Sequence, residues 1–304
     1  VRAWLRSSKK NNFSVVQQHI DLPLDSKKMF VDQFLSGVTK NTKVIFISQI
    51  TSQTGLIFPV KEICDYANQN DIITIIDGAH VPGHIDLNIV NLGCDYYTGA
   101  CHKWMCAPKG SSFLFVEKSL QENLKPQIMS WGEEGEDPGP SQFLMDFQWQ
   151  GTKDMSAFLS IPSSIDFLKD NDWKERRKGS QALILEVSKN LKEIFETDTL
   201  SQNEGWIGQM VSHPLPSNMT IDLKEKLWED YMIEVPVFEE IQMGMCTGMA
   251  LNGLVPICCF PRFDFMLRCM DSLVNHLDKM QHMTEGTFKP KVIFMVGFDL
   301  YGFT

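Results

Sequence analysis

The sequence has no run of about eighteen apolar residues, the length that a membrane-spanning helix needs. Its first thirty residues lack the basic segment followed by an apolar one that marks a secretory signal. Neither a span nor export is expected, and a cytoplasmic location is the default. None of the eight cysteines forms a CxxC pair and their spacing follows no disulfide framework, so reduced thiols are expected. No basic patch interrupts the surplus of 38 acidic over 28 basic side chains, and a net charge of −10 argues against nucleic acid and anionic membranes as partners. An initiating methionine is missing too. The chain opens on Val1 and runs at once into patterned sequence, so an N-terminally truncated protein is expected.

What is present is globular in composition. The 304 residues are 43% hydrophobic and 22% charged, enough for one large α/β domain or two medium ones. From Lys43 the run Val-Ile-Phe-Ile-Ser-Gln-Ile reads as a strand buried on both faces, as parallel strands are. Pro59 suits a first helical turn, and Val60, Ile63, Cys64 and Ala67 recur at helical spacing behind it. A second strand, Ile72–Ile76, ends on Asp77-Gly78-Ala79-His80, and a third, Cys94–Tyr97, ends on Thr98-Gly99-Ala100-Cys101-His102-Lys103. Alternating strands and helices predict a mainly parallel sheet whose site lies beyond the carboxyl ends of its strands.

Gly132, Gly135, Pro138, Gly139 and Pro140 carry the chain out of that sheet. Residues 1–130 are therefore assigned to a large domain and 131–238 to a smaller α/β one, with helices over Met155–Leu168 and Trp173–Phe195 and an edge strand Ile233–Val237. Beyond Glu239 the composition changes. Residues 239–304 hold eight of sixteen methionines and four of eight cysteines but no tryptophan, and read as a separate segment with helices at Gly244–Leu251 and Phe263–Gln281 and strands at Val255–Phe260 and Lys291–Val296.

Four side chains at neighbouring strand ends could carry chemistry. Lys103 is followed by Trp104-Met105-Cys106-Ala107, so its stem is expected in an apolar pocket where desolvation turns the amine into a carbonyl nucleophile. Asp77 is either a turn residue or the carboxylate that pairs with a cation. A Schiff-base lysine and a carboxylate against a ring nitrogen are what a pyridoxal phosphate enzyme requires. His80 and His102, taken with Asp77, also allow a divalent metal and hydrolysis, although the spacing is not diagnostic. Cys101, beside the lysine, reads as a packed small residue rather than a persulfide carrier.

Ser48-Gln49-Ile50-Thr51-Ser52-Gln53-Thr54-Gly55-Leu56-Ile57-Phe58-Pro59-Val60, then Asp77-Gly78-Ala79-His80, then Tyr97-Thr98-Gly99-Ala100-Cys101-His102-Lys103-Trp104 together resemble class V aminotransferases, pyridoxal phosphate enzymes of fold type I, and within them the isopenicillin N epimerase-like branch. The resemblance extends over about residues 1–238, through Trp149–Asp154 and Ile233–Val237. It implies that Lys103 forms the Schiff base with pyridoxal 5'-phosphate, Asp77 pairs with the pyridine nitrogen, His80 bonds the phenolic oxygen and His102 lies by the phosphate. It further implies that Gly151 and Thr152 reach the phosphate of a partner subunit in a homodimer, and that the substrate is an amino acid. Ser52 falls where desulfurases of the class have an asparagine near the cofactor, and Ala100 where they have a serine. Both departures favour the epimerase-like branch. The family's phosphate loop, its ring-stacking aromatic residue and its substrate-clamping arginine have no counterpart here, since Arg262 and Arg268 do not align with the last.

Residues 239–304 resemble instead the pyrimidine-binding domain of thiamine-diphosphate-dependent 2-oxo acid dehydrogenase beta subunits, carried by Gly244–Pro256 and Phe265–Met280. Glu239 falls near that family's activating glutamate and is equally readable as the end of the preceding strand. Three functional readings follow: an enzyme, or part of one, acting at the α-carbon of an amino acid through Lys103; a non-catalytic truncated or chimeric remnant; and a metal-dependent hydrolase using Asp77, His80 and His102.

Overall fold

A computed structural model describes residues 1–133, 139, 141–148, 151–201, 203–217, 239–260, 266 and 269–296. The strand expected at Ile233–Val237, Trp149, Gln150 and both arginines at 262 and 268 lie outside the described residues. The chain separates into two compact units, Val1–Asn218 and Met219–Thr304.

The first unit is organised by a four-stranded sheet, β1 (Val44–Ser48), β2 (Ile73–Gly78), β3 (Tyr96–Ala100) and β4 (Ser112–Val116), ordered as numbered. β1, β2 and β3 are parallel, and β4 returns antiparallel beside β3. The sequence reading missed β4, because Ser-Phe-Leu-Phe-Val sits just past the Pro108–Gly110 turn and is too short to stand out by periodicity. Before the sheet come α1 (Arg2–Ser8) and α2 (Lys27–Leu35), the latter capped by Ser26, whose hydroxyl accepts from Met29 N at 3.2 Å.

Between β1 and β2 runs α3 (Val60–Gln69), and its buried residues are the four expected: Val60, Ile63, Cys64 and Ala67. They pack with Ile45, Ile47, Ile76, Tyr97, Phe30 and Trp206 into the main core, where burial pushes the Cys64 thiol up to about 12. Strand β2 is fastened to the start of β3 by Asp95, which accepts from the backbone and hydroxyl of buried Thr74 at 2.7 and 2.9 Å.

Burial on both faces does not hold. Val44, Phe46, Ile73 and Leu114 remain 37–41% exposed on the face opposite α3. A parallel sheet is hydrophobic throughout because helices cover both sides, and here α3 covers one. Trp4 of α1 reaches the other at 6.0 Å from the Phe46 ring.

After a short α4 (Ile89–Leu92) and beyond β4, the unit continues through α5 (Gln142–Gln148), α6 (Ser156–Leu159), α7 (Ile161–Asp170) and the long α8 (Trp173–Phe195). α8 is tied to the loop that follows β2: Trp173 Nε1 donates to Gly83 O at 2.7 Å and Arg177 pairs with Asp86 at 2.5 Å.

The second unit holds α9 (Glu239–Leu251), β5 (Ile257–Phe260), a π-helical stretch Ser272–Asp278 leading into α10 (Lys279–Met283), and β6 (Ile293–Val296), with β5 and β6 parallel. Met243, Cys246, Cys258, Phe260 and Cys269 form its core. Burial and the neighbouring Cys246 push the Cys258 thiol up to about 12. All eight cysteines are free. Among the described residues no helix is long and apolar enough to cross a membrane.

Candidate active site

Asp77 stands at the carboxyl end of β2, in register with Ser48 on β1 and Thr98 on β3. Strand alternation puts all three on the half-open face of the sheet. The carboxylate is oriented by two donors, Ala79 N to Oδ1 at 3.0 Å and the Ser48 hydroxyl to Oδ2 at 3.2 Å. Gly78 follows because the opposite face has no room: a Cβ there would lie 2.2 Å from the Tyr97 hydroxyl, which donates to buried Gln49 at 2.7 Å.

The chain leaves β3 into the segment that bears Lys103. Its Nζ lies 2.9 Å from His80 Nε2, and the other ring nitrogen of His80, Nδ1, accepts from Trp104 Nε1 at 3.3 Å. Burial holds the Lys103 amine below the usual lysine range, opposed by the charge of Asp77. His80 is held below the ordinary imidazole value by burial first and by Lys103 second, again opposed by Asp77. Amine, imidazole and carboxylate thus sense one another, as a common site requires.

The loop that carries His80 is fixed by a residue that the sequence reading passed over. His84 is 2% exposed; its Nδ1 lies 3.1 Å from His80 O, and its Nε2 accepts from Gln209 N at 2.6 Å. Its ring packs against Trp104, centroids 4.3 Å apart. Gln209 also donates its side-chain amide to His84 O at 3.2 Å. The signal available in sequence was weak: a histidine in a Pro-Gly turn has no periodicity, and its partners lie 20 and 125 residues away.

Among the described residues no hydrogen bond links the other expected residues to Lys103, His80 or Asp77. His102 turns Nδ1 toward Ser111 O at 3.3 Å. Ser52 is exposed in the turn after β1, and Gly151 and Thr152 are exposed between α5 and α6. Among the described residues no three His, Cys, Asp or Glu side chains are grouped to hold a metal ion. The set expected for a hydrolase does not converge: Asp77 faces Ser48 and Ala79, His80 faces Lys103 and Trp104, and His102 faces Ser111.

A mainly parallel sheet with a desolvated lysine and an oriented carboxylate near adjacent strand ends makes this an α/β protein, and its solved neighbours give the fold as type I. A cysteine desulfurase structure from Thermococcus onnurineus NA1 superposes with a TM-score of 0.60 at 17% identity, over 77% of this chain and 58% of that one. The family model for aminotransferase class-V matches residues 2–248, and the chain belongs to that family. It is 32% identical over 230 residues to isopenicillin N epimerase of Amycolatopsis lactamdurans, covering 71% of this chain and 57% of the relative. It is 26% identical over 243 residues to a putative L-cysteine desulfhydrase of Oryza sativa subsp. japonica, covering 74% of this chain and 49% of the relative. The chain therefore spans about half the length of these curated relatives.

Pyridoxal 5'-phosphate is the cofactor of this family. The donor set fits it at two ends, with an amine for the aldehyde and a carboxylate for the ring nitrogen. At the phosphate end, Gly151 and Thr152 are exposed between α5 and α6.

Proposed function

We propose that this chain carries the lysine, histidine and carboxylate of a pyridoxal 5'-phosphate enzyme acting at the α-carbon of an amino acid. The observation that supports it most is the 2.9 Å approach of Lys103 Nζ to His80 Nε2, with Asp77 acting electrostatically on both. When bound, the cofactor supplies an electron sink for the pair released at the α-carbon. Lys103 would hold it through Nζ and move the α-proton at that atom. Asp77 would keep a proton on the ring nitrogen, its orientation set by Ser48 and Ala79. His80 would bond the phenolic oxygen and His102 would serve the phosphate. Ser52 would add a cofactor contact from the turn after β1, and Gly151 and Thr152 would be offered to the second subunit of a homodimer.

Epimerisation, transamination and β-elimination share these residues and differ in where the proton or substituent goes next. Serine at position 52 and alanine at position 100 favour the epimerase-like branch over desulfurase chemistry. The same proposal places the protein in the cytoplasm, divides the first 238 residues near 130, and reads residues 239–304 as the thiamine-enzyme-like segment.

Adding pyridoxal 5'-phosphate tests the reading. A visible absorption band is expected, abolished by borohydride with the label on Lys103, and absent from Lys103→Ala. A protein that stays colourless overturns it. That outcome supports the second reading, a non-catalytic remnant.

A further inference from the structure

We infer that Trp104 is a positioning residue that locks His80 in one tautomer and thereby keeps the Lys103 amine in its neutral, nucleophilic form. The argument starts from what an indole can do. Trp104 Nε1–H is a donor only, and it points at His80 Nδ1 at 3.3 Å. Nδ1 must therefore present its lone pair, and the single proton of a neutral imidazole then resides on Nε2. Nε2 is the atom 2.9 Å from Lys103 Nζ. With a proton on Nε2, the amine has to accept, and only an unprotonated amine can.

The opposite arrangement, an ammonium donating to Nε2, needs the proton on Nδ1, where it would face the indole N–H. The hydrogen bond from Trp104 thus penalises the charged lysine from two bonds away. The direction agrees with the depressed basicity of Lys103 and His80.

The orientation of the indole is itself held. His84 packs on its ring, and the His84 Nδ1 proton goes to His80 O because Nε2 already accepts from Gln209 N. The ionisable groups around the pair are Asp77, which favours the charged form of both, and His84, beside His80 on the loop after β2; Arg177 of α8 acts on His84. None of them supplies a donor to His80 Nδ1.

The inference deepens the proposed role of Lys103, and its test reads the amine without any cofactor, so that its failure and the failure of the cofactor reading are separable. Trp104→Phe keeps the ring that packs on His84 and removes the N–H. Competitive acetylation with an isotope-coded reagent across a pH series, followed by mass spectrometry of the Lys103 peptide, gives the amine's titration midpoint. In Trp104→Phe it should rise by roughly one pH unit, so that labelling at a fixed pH below the midpoint falls roughly tenfold. A variant that merely loosened the structure would also raise the midpoint by hydrating the amine, so the labelling rate of the fully deprotonated amine, read at high pH, is the control: it should be unchanged in Trp104→Phe, whereas an exposed Lys103 labels faster there. Nitrogen NMR of histidine-labelled wild-type protein checks the tautomer directly: His80 should carry its proton on Nε2, and the signal should redistribute in Trp104→Phe. A proton on Nδ1 in the wild type overturns the inference, as does an unchanged Lys103 midpoint in a folded Trp104→Phe.

Discussion

His84 ties the loop of His80 to Trp104 and Gln209 and takes no part in the proposed chemistry. Buried and neutral, it is pushed down from 6.5 to about 4. In the unfolded chain the same imidazole binds a proton near its ordinary value, so between about pH 6.5 and about pH 4 the unfolded state holds more protons. The stability is complete above that window and is lost progressively as pH falls through it, by about 3 kcal/mol in all. Urea midpoints measured across the window should fall with pH in the wild type and flatten in His84→Gln, which starts less stable because Gln209 N loses its acceptor. Asp77, His80 and Lys103 stood out as candidates without a structure because they lie at or just beyond the ends of apolar strands, where polar residues have no packing reason to gather. Trp104 and His84 were not, because their partners are supplied by loops that meet only in the folded chain.

At the scale of elements, α3 was readable almost to the residue, since an amphipathic helix writes its buried face into a period of 3.6. β4 was not, and the turn-rich region near residue 130 conceals the helix α5. The contact between β2 and β3 tolerates little change. Gly78 faces the Tyr97 ring, whose carbons lie 2.2–2.3 Å from where a Cβ would be placed. Gly78→Ala should therefore cost about 1–3 kcal/mol by forcing buried Tyr97 out of its hydrogen bond to Gln49. Thermal or urea unfolding measures the cost. A substitution that proved neutral would mean that the two strands can separate slightly without losing register.

For the whole molecule, the contacts that build the lysine cluster all fall within Val1–Asn218. A chain ending at Asn218 should fold, melt in a single cooperative transition and keep the Lys103 labelling profile of the full chain. Loss of that profile would mean that residues beyond 218 shape the site. The half-exposed face of Val44, Phe46, Ile73 and Leu114 belongs to this scale as well. Apolar strands predict covering layers, yet which layers a given chain supplies is a property of its tertiary structure.

Hydrophobic periodicity and strand-end residues were local signals, and they determined by themselves the mainly parallel α/β architecture, the helix after β1 and the choice of Asp77, His80 and Lys103 as candidates. Which nitrogen of His80 faces the lysine, which residue orients Asp77 and which face of the sheet stays open were decided only by the folded chain. Those properties depend on hydrogen bonds and packing between segments far apart in sequence, and no local pattern encodes the direction in which a side chain finds its partner.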